Sequence, residues 1–165
     1  MGAQPDPPPP PSGPEMPALE PIGPWPRLGA KFIDNLILLV PSMVLAIVVG
    51  GSGFLSGEFG PRPFLASVLT TLLSWAYFVY LEATRGQTLG KMALGFKVID
   101  VDGRTPSLDV AAKRNLWMLL PLIPVIGSFA QLAAAIGIGV TIGSGPFHRG
   151  LHDNFAGGTA VVRSR

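Results

Sequence analysis

The chain contains no cysteine, which removes disulfides, thiolate zinc sites and cysteine nucleophiles at once. Charge is also scarce. Asp, Glu, Lys and Arg make up 13% of the 165 residues, about half of what a soluble domain carries. Only two histidines are present, His148 and His152, so a histidine-rich metal centre has little to draw on. A basic soluble region with aromatic or groove-reading elements is missing, which argues against nucleic-acid binding. What fills the chain instead is apolar: 48% hydrophobic residues and a mean hydropathy of +0.45, the composition of one small integral membrane domain.

Proline is unevenly spread. Eleven of the 18 prolines fall within the first 26 residues, including the unbroken run Pro7–Pro11. With almost no large apolar residue before Ile22, residues 1–24 are expected to be a disordered tail of polyproline II character. Such a tail is a solvated arm or a ligand for a proline-recognising partner. The first apolar run starts late and is long enough to span, which argues against a secretory signal.

Three apolar regions follow within the domain expected over residues 25–162, ahead of a short tail at 163–165. The first span covers about 30–50, opened by Trp25 and Pro26 and carrying Pro41 at mid-span, where a bend is expected. The second covers 64–81, with Ser67, Thr70, Thr71 and Ser74 on one polar stripe and Tyr77 and Tyr80 in an interfacial aromatic belt beside an emerging Glu82 and Arg85. The third region, 107–143, is broken by Pro121, Pro124 and Gly127, and carries the small residues Ala135, Gly139 and Gly143 at four-residue spacing. It reads as one kinked span or as a helical hairpin. Basic residues cluster between the second and third regions and after the third, while the first loop holds only Arg62. That asymmetry favours the hairpin, with the N-terminus, central loop and C-terminus all cytoplasmic. The fold class expected is an all-α membrane bundle with two full spans and this third element.

Ionisable groups inside the first span need a reason. Arg27 and Asp34 are seven residues apart, about two turns and roughly 10 Å along one helix face, with Lys31 between them. A carboxylate in hydrocarbon costs about 2.5–3.5 kcal/mol on insertion scales unless paired, protonated or used. Arg114 is available as a counter-ion for Asp34 or Asp153.

Gly86–Lys91 looks like a phosphate loop but lacks the spacing and the Ser or Thr after the lysine, so nucleotide binding is rejected. Phe96–Val101 reads as a short strand ending at the Asp102-Gly103 turn, and Thr159–Val162 is available to pair with it. A helix follows, capped by Thr105 or Ser107. His148 and His152 would share a face if helical. As metal ligands they are weak candidates, and the expected roles are tethering the tail at the interface or titrating near neutral pH. No cofactor and no catalytic group is assigned, and no enzyme activity is expected.

Arg27 and Asp34 opening the first span, the Gly86–Ser107 segment, Arg114 and the closing His148–Val162 segment together resemble the RDD family of small bacterial membrane proteins. The family name records one arginine and two aspartates. Arg27 matches the arginine, Asp34 the first aspartate and Asp153 the second. Many members carry two adjacent basic residues near the first span; here Arg27 stands instead with Lys31, four residues on, a departure from that pattern. The resemblance implies a multi-pass protein of the cytoplasmic membrane and, in general terms, transport, with sodium–proton exchange described for some members. Two functional expectations result. One is a cation- or proton-coupled transporter with Asp34 as exchanging carboxylate and Arg27 or Arg114 as its gating counter-ion. The other is an accessory subunit of a larger membrane complex, with Arg27, Asp34, Arg114 and Asp153 as a structural ion-pair network. Expected partners are the lipid bilayer and either further copies of the chain or other membrane proteins.

Overall fold

The computed structural model describes residues 20–145 and 147–164. The proline-rich tail, up to residue 19, lies outside the described residues. Seven α-helices, one 3-10 helix and two strands are described: α1 (Pro24–Gly50), α2 (Ser52–Leu55), α3 (Pro61–Arg85), α4 (Leu89–Leu94), β1 (Phe96–Ile99), α5 (Leu108–Asn115), the 3-10 helix Leu116–Leu122, α6 (Gly127–Ser144), α7 (Leu151–Phe155) and β2 (Ala160–Arg163). Three of them, α1, α3 and α6, are long and apolar enough to cross a membrane.

Both long helices outrun their apolar cores. Proline at the start of α1 and of α3 costs no hydrogen bond, because the first N–H groups of a helix have no partner in any case. Arg27 therefore lies inside α1 rather than ahead of it. Pro41 sits within α1, and the helix continues past it to Gly50. At the other end of α3, Gly86 takes a left-handed conformation (φ 66°) and its N–H closes on the Glu82 carbonyl. The chain leaves the helix there at a residue with no Cβ to strain.

α1 and α3 pack side by side and antiparallel. Leu38, Phe78 and Met118 form one buried cluster between them and the 3-10 helix. The third apolar region folds back on itself. Asn115, at the end of α5, bonds to Glu82 near the end of α3, and Pro121 lines a cleft that Ser42 and Thr70 also line. The chain then reverses through residues 123–126, and α6 returns until Gly143 lies beside Pro24. Both ends of this region thus lie at the end of the bundle where α1 begins.

A small layer caps that end. β1 and β2 pair antiparallel, with Phe96 opposite Arg163 and Ile99 opposite Ala160. Pro21 bridges to Val162, and the Ile22 N–H donates to the Val161 carbonyl at 2.9 Å. Ile22, Ala30, Phe96, Val98 and Val161 make its buried apolar cluster. The folded part accordingly takes in residues 20–24, which the sequence reading assigned to the tail, and Arg163, which it placed beyond the domain.

Candidate functional site

The charged side chains gather where α1, α3, α4, α5 and α7 meet, at the strand-capped end of the bundle. Asp153, in the first turn of α7, is wholly buried. Its Oδ2 accepts from Arg27 Nη1 at 2.8 Å and its Oδ1 pairs with Arg114 Nη1 at 2.6 Å. The Thr159 hydroxyl and the Gly150 N–H complete the shell at 3.0 Å each. Burial alone would raise this carboxyl, but Arg114 and Arg27 outweigh it and hold Asp153 well below the usual carboxylate range. Arg27 also donates to the carbonyls of Ile22 and His148, so one guanidinium ties α1 to the strand layer and to α7.

Glu82 is the second hub. The sequence reading had it emerging at the interface; it is 1% exposed. Its Oε1 accepts from Lys91 Nζ at 2.5 Å, and its Oε2 faces Arg114 Nε at 3.3 Å and Asn115 Nδ2 at 2.9 Å. Arg114 therefore bridges Glu82 and Asp153, and the ladder Lys91–Glu82–Arg114–Asp153–Arg27 joins five helices.

Asp34 stands outside this ladder. It is fully buried, yet no lysine or arginine lies within 4 Å of its oxygens among the described residues. Its three donors are neutral: the Tyr77 hydroxyl at 2.7 Å and the Gly90 N–H at 2.6 Å on Oδ1, and the Thr88 hydroxyl at 2.6 Å on Oδ2. The charged seam expected along one helix face, with Lys31 bridging Arg27 and Asp34, does not form. Arg27 turns to α7, and Asp34 reaches across to the start of α4. Arg114 likewise serves Asp153, not Asp34. Thr88 caps α4 while donating to Asp34, and a Cβ on Gly90 would overlap the Ala30 carbonyl oxygen. That close approach explains the threonine and glycine of the segment that superficially imitates a phosphate loop. Tyr77, assigned to an aromatic belt, is an Asp34 ligand; Tyr80 is the exposed one.

The histidines part company. His148 lies before α7 at φ 49°, with Nδ1 2.9 Å from the Ile142 carbonyl, so the two do not share a helix face. Burial, helped by Arg114, pushes the His152 imidazole from 6.5 down to about 3. It stays neutral at pH 7, contrary to a role titrating near neutrality. Among the described residues no group of three metal-ligating side chains comes together.

Two openings border the site. A cavity of about 160 Å³ is lined by Lys31, Asp34, Glu82, Lys91, Arg114 and His152 among others. A larger cleft of about 1010 Å³ lies between α1, α3, the 3-10 helix and α6. Its polar wall is Asn35, Ser42, Thr70, Thr71, Ser74 and Gln131, so three of the four residues of the expected stripe face it. The fourth, Ser67, donates to the Pro63 carbonyl. Lys31 and Trp117 line both openings. The Lys31 ammonium has no carboxylate within 4 Å among the described residues and sits 3.9 Å from the Phe78 ring centre and 4.9 Å from that of Trp117.

Glu82, Lys91 and Asn115, together with the Asp34 partners Tyr77, Thr88 and Gly90, are residues whose roles the sequence reading missed. The available signal was Phe78 and Glu82 one turn apart, which puts the carboxylate on the buried face of α3.

The chain is 29% identical over 131 residues to the Bacillus subtilis (strain 168) protein described as "Uncharacterized protein YxaI", covering 69% of this chain and 86% of that one. No solved structure matches. The RDD family model matches residues 21–157, from the strand layer through α7, and the chain belongs to the RDD family.

Proposed function

We propose that this RDD-family membrane protein is a non-enzymatic, cation- or proton-coupled transporter in which Asp34 is the exchanging carboxylate. The observation that carries the reading is the contrast among the three core carboxylates. Glu82 and Asp153 are held by permanent cations, whereas Asp34 is buried against neutral donors only. Two of those donors are hydroxyls, which can rotate to accept when the carboxyl takes up a proton. Asp34 also borders the small cavity, which adjoins the polar cleft at Lys31 and Trp117. Along α1 that cleft runs from Trp25 to Ser42, about 25 Å at 1.5 Å per residue. A path of that length reaches from one interface to beyond the bilayer midplane. The excess of basic residues at the strand-capped end supports a cytoplasmic location for that end, and with it a region 107–143 that enters and leaves by the same face. Two full spans and a hairpin make a thin wall, so further copies of the chain would complete the enclosure.

Reconstituted vesicles carrying a trapped pH dye test this directly. A sodium or potassium pulse should drive proton flux, and Asp34→Asn should lower it at least tenfold. Flux untouched by Asp34→Asn removes Asp34 from the mechanism, and no flux in the unaltered protein removes transport.

A second reading has its own support: the oxygens of every core carboxylate are engaged by donors, as in a purely structural network. The chain would then be an accessory subunit, recovered with a fixed partner and lost from the membrane when Asp34 becomes Ala.

A further inference from the structure

We propose that the cleft beside Lys31 seats the anionic headgroup of a bilayer lipid, whose acyl chains stay in the surrounding hydrocarbon. Charge is the first argument. The core holds four basic side chains (Arg27, Lys31, Lys91 and Arg114) against three acidic ones (Asp34, Glu82 and Asp153), with His152 neutral. Among the described residues Lys31 is the basic side chain with no carboxylate within 4 Å, whereas Arg27, Lys91 and Arg114 each have one. The Phe78 and Trp117 rings stabilise an ammonium but supply no formal negative charge. Among the described residues the ammonium, with three N–H donors, finds one hydrogen-bond acceptor, the weak Met118 sulfur at 3.5 Å.

Depth is the second argument. α1 is 27 residues, about 40 Å, which matches a bilayer with its headgroup layers. Lys31 is seven residues in, roughly 10 Å from the helix start and near the boundary between headgroups and acyl chains. A phosphate or carboxylate head meets an ammonium at that level with little displacement. Shape is the third. Asn35 and Gln131 give the cleft a polar side, and Phe32, Leu132 and the aromatic face of Trp25, which a phenylalanine would keep, border it. Phe32, Leu132 and Trp25 are themselves largely exposed, so tails can lie against them outside the cleft. A volume of about 1010 Å³ reaches the upper end of small-molecule sites, enough for a headgroup with bridging water. The inference does not require that any solute be carried.

The test uses the full chain with Trp25→Phe and Trp75→Phe, leaving Trp117 as reporter beside Lys31, in vesicles of phosphatidylcholine. Lipids brominated on the acyl chain are titrated in, and Trp117 quenching is read. Brominated phosphatidylglycerol should half-saturate at a mole fraction at least fivefold below brominated phosphatidylcholine. Lys31→Gln should abolish that preference, while Lys31→Arg and the exposed-site control Lys113→Gln keep it. Equal quenching by the two lipids in the Lys31 protein overturns the proposal with no variant needed. So does a preference that survives Lys31→Gln or vanishes in Lys113→Gln. Displacement of the brominated anionic lipid by millimolar inorganic phosphate would overturn the lipid in favour of a free anion.

Discussion

The strand-capped end and the three long helices are held together by different forces. At the first, eight polar side chains, six of them on five helices, are out of water, and each has a partner. In the second, only 17%, 17% and 11% of the most apolar windows of α1, α3 and α6 are buried within the chain, leaving most of that surface to lipid. Apolar side chains gain little by leaving one hydrocarbon for another, so the helices contribute few specific contacts of their own. Specificity is concentrated where charges must find one another, since a buried ion left without its partner is expensive.

Breaking the ladder should have the largest effect. Asp153→Ala strands Arg27 and leaves Arg114 with Glu82 alone, and should cost about 3–5 kcal/mol. Thermal unfolding in detergent, or the amount of protein in the membrane, reads this out.

A smaller effect comes from acid. His152 accepts a proton near pH 6.5 when unfolded but only near 3 when folded, so protons favour the unfolded chain between those values. Its contribution is complete above pH 6.5 and drains away as pH falls toward 3, at up to about 1.4 kcal/mol per unit. Asp153, whose folded carboxyl is depressed, adds a further loss once pH drops below about 4. Unfolding midpoints at pH 7.5 and 4.5 should differ clearly, and His152→Gln should flatten the slope between pH 6.5 and 4.5.

The smallest effect sharpens the contrast from the other side. Val48 lies on the open face of α1 at 70% exposure, and Val48→Leu should move stability by less than about 0.5 kcal/mol in the same assay.

The elements were largely legible because they follow from periodicity. The apolar runs of α1 and α3, the turn after β1 and the complementary segment Thr159–Val162 all carry local signals. Partner choice did not. Asp34 has a lysine three residues before it on its own helix, so pairing along the helix was the natural reading, yet its ligands come from Tyr77, Thr88 and Gly90. Hydroxyls and a backbone N–H carry no distinctive pattern in sequence. Glu82 was obscured by position, one turn before an arginine at the end of a span, where charged residues usually meet water. The six residues of α4 are too short for a hydrophobic period to show.

The ion pair between Arg27 and Asp153 spans 126 positions of the chain, and this sets an order on biosynthesis. By the time the second acidic partner leaves the ribosome, α1 has long been made, with its guanidinium, ammonium and carboxyl groups already committed to the nascent fold. Those groups must be sheltered meanwhile by water, headgroups or the insertion machinery. The clasp can close only when α7 and the last strand arrive, so a stalled or shortened chain carries an unshielded early helix that quality-control proteases can recognise.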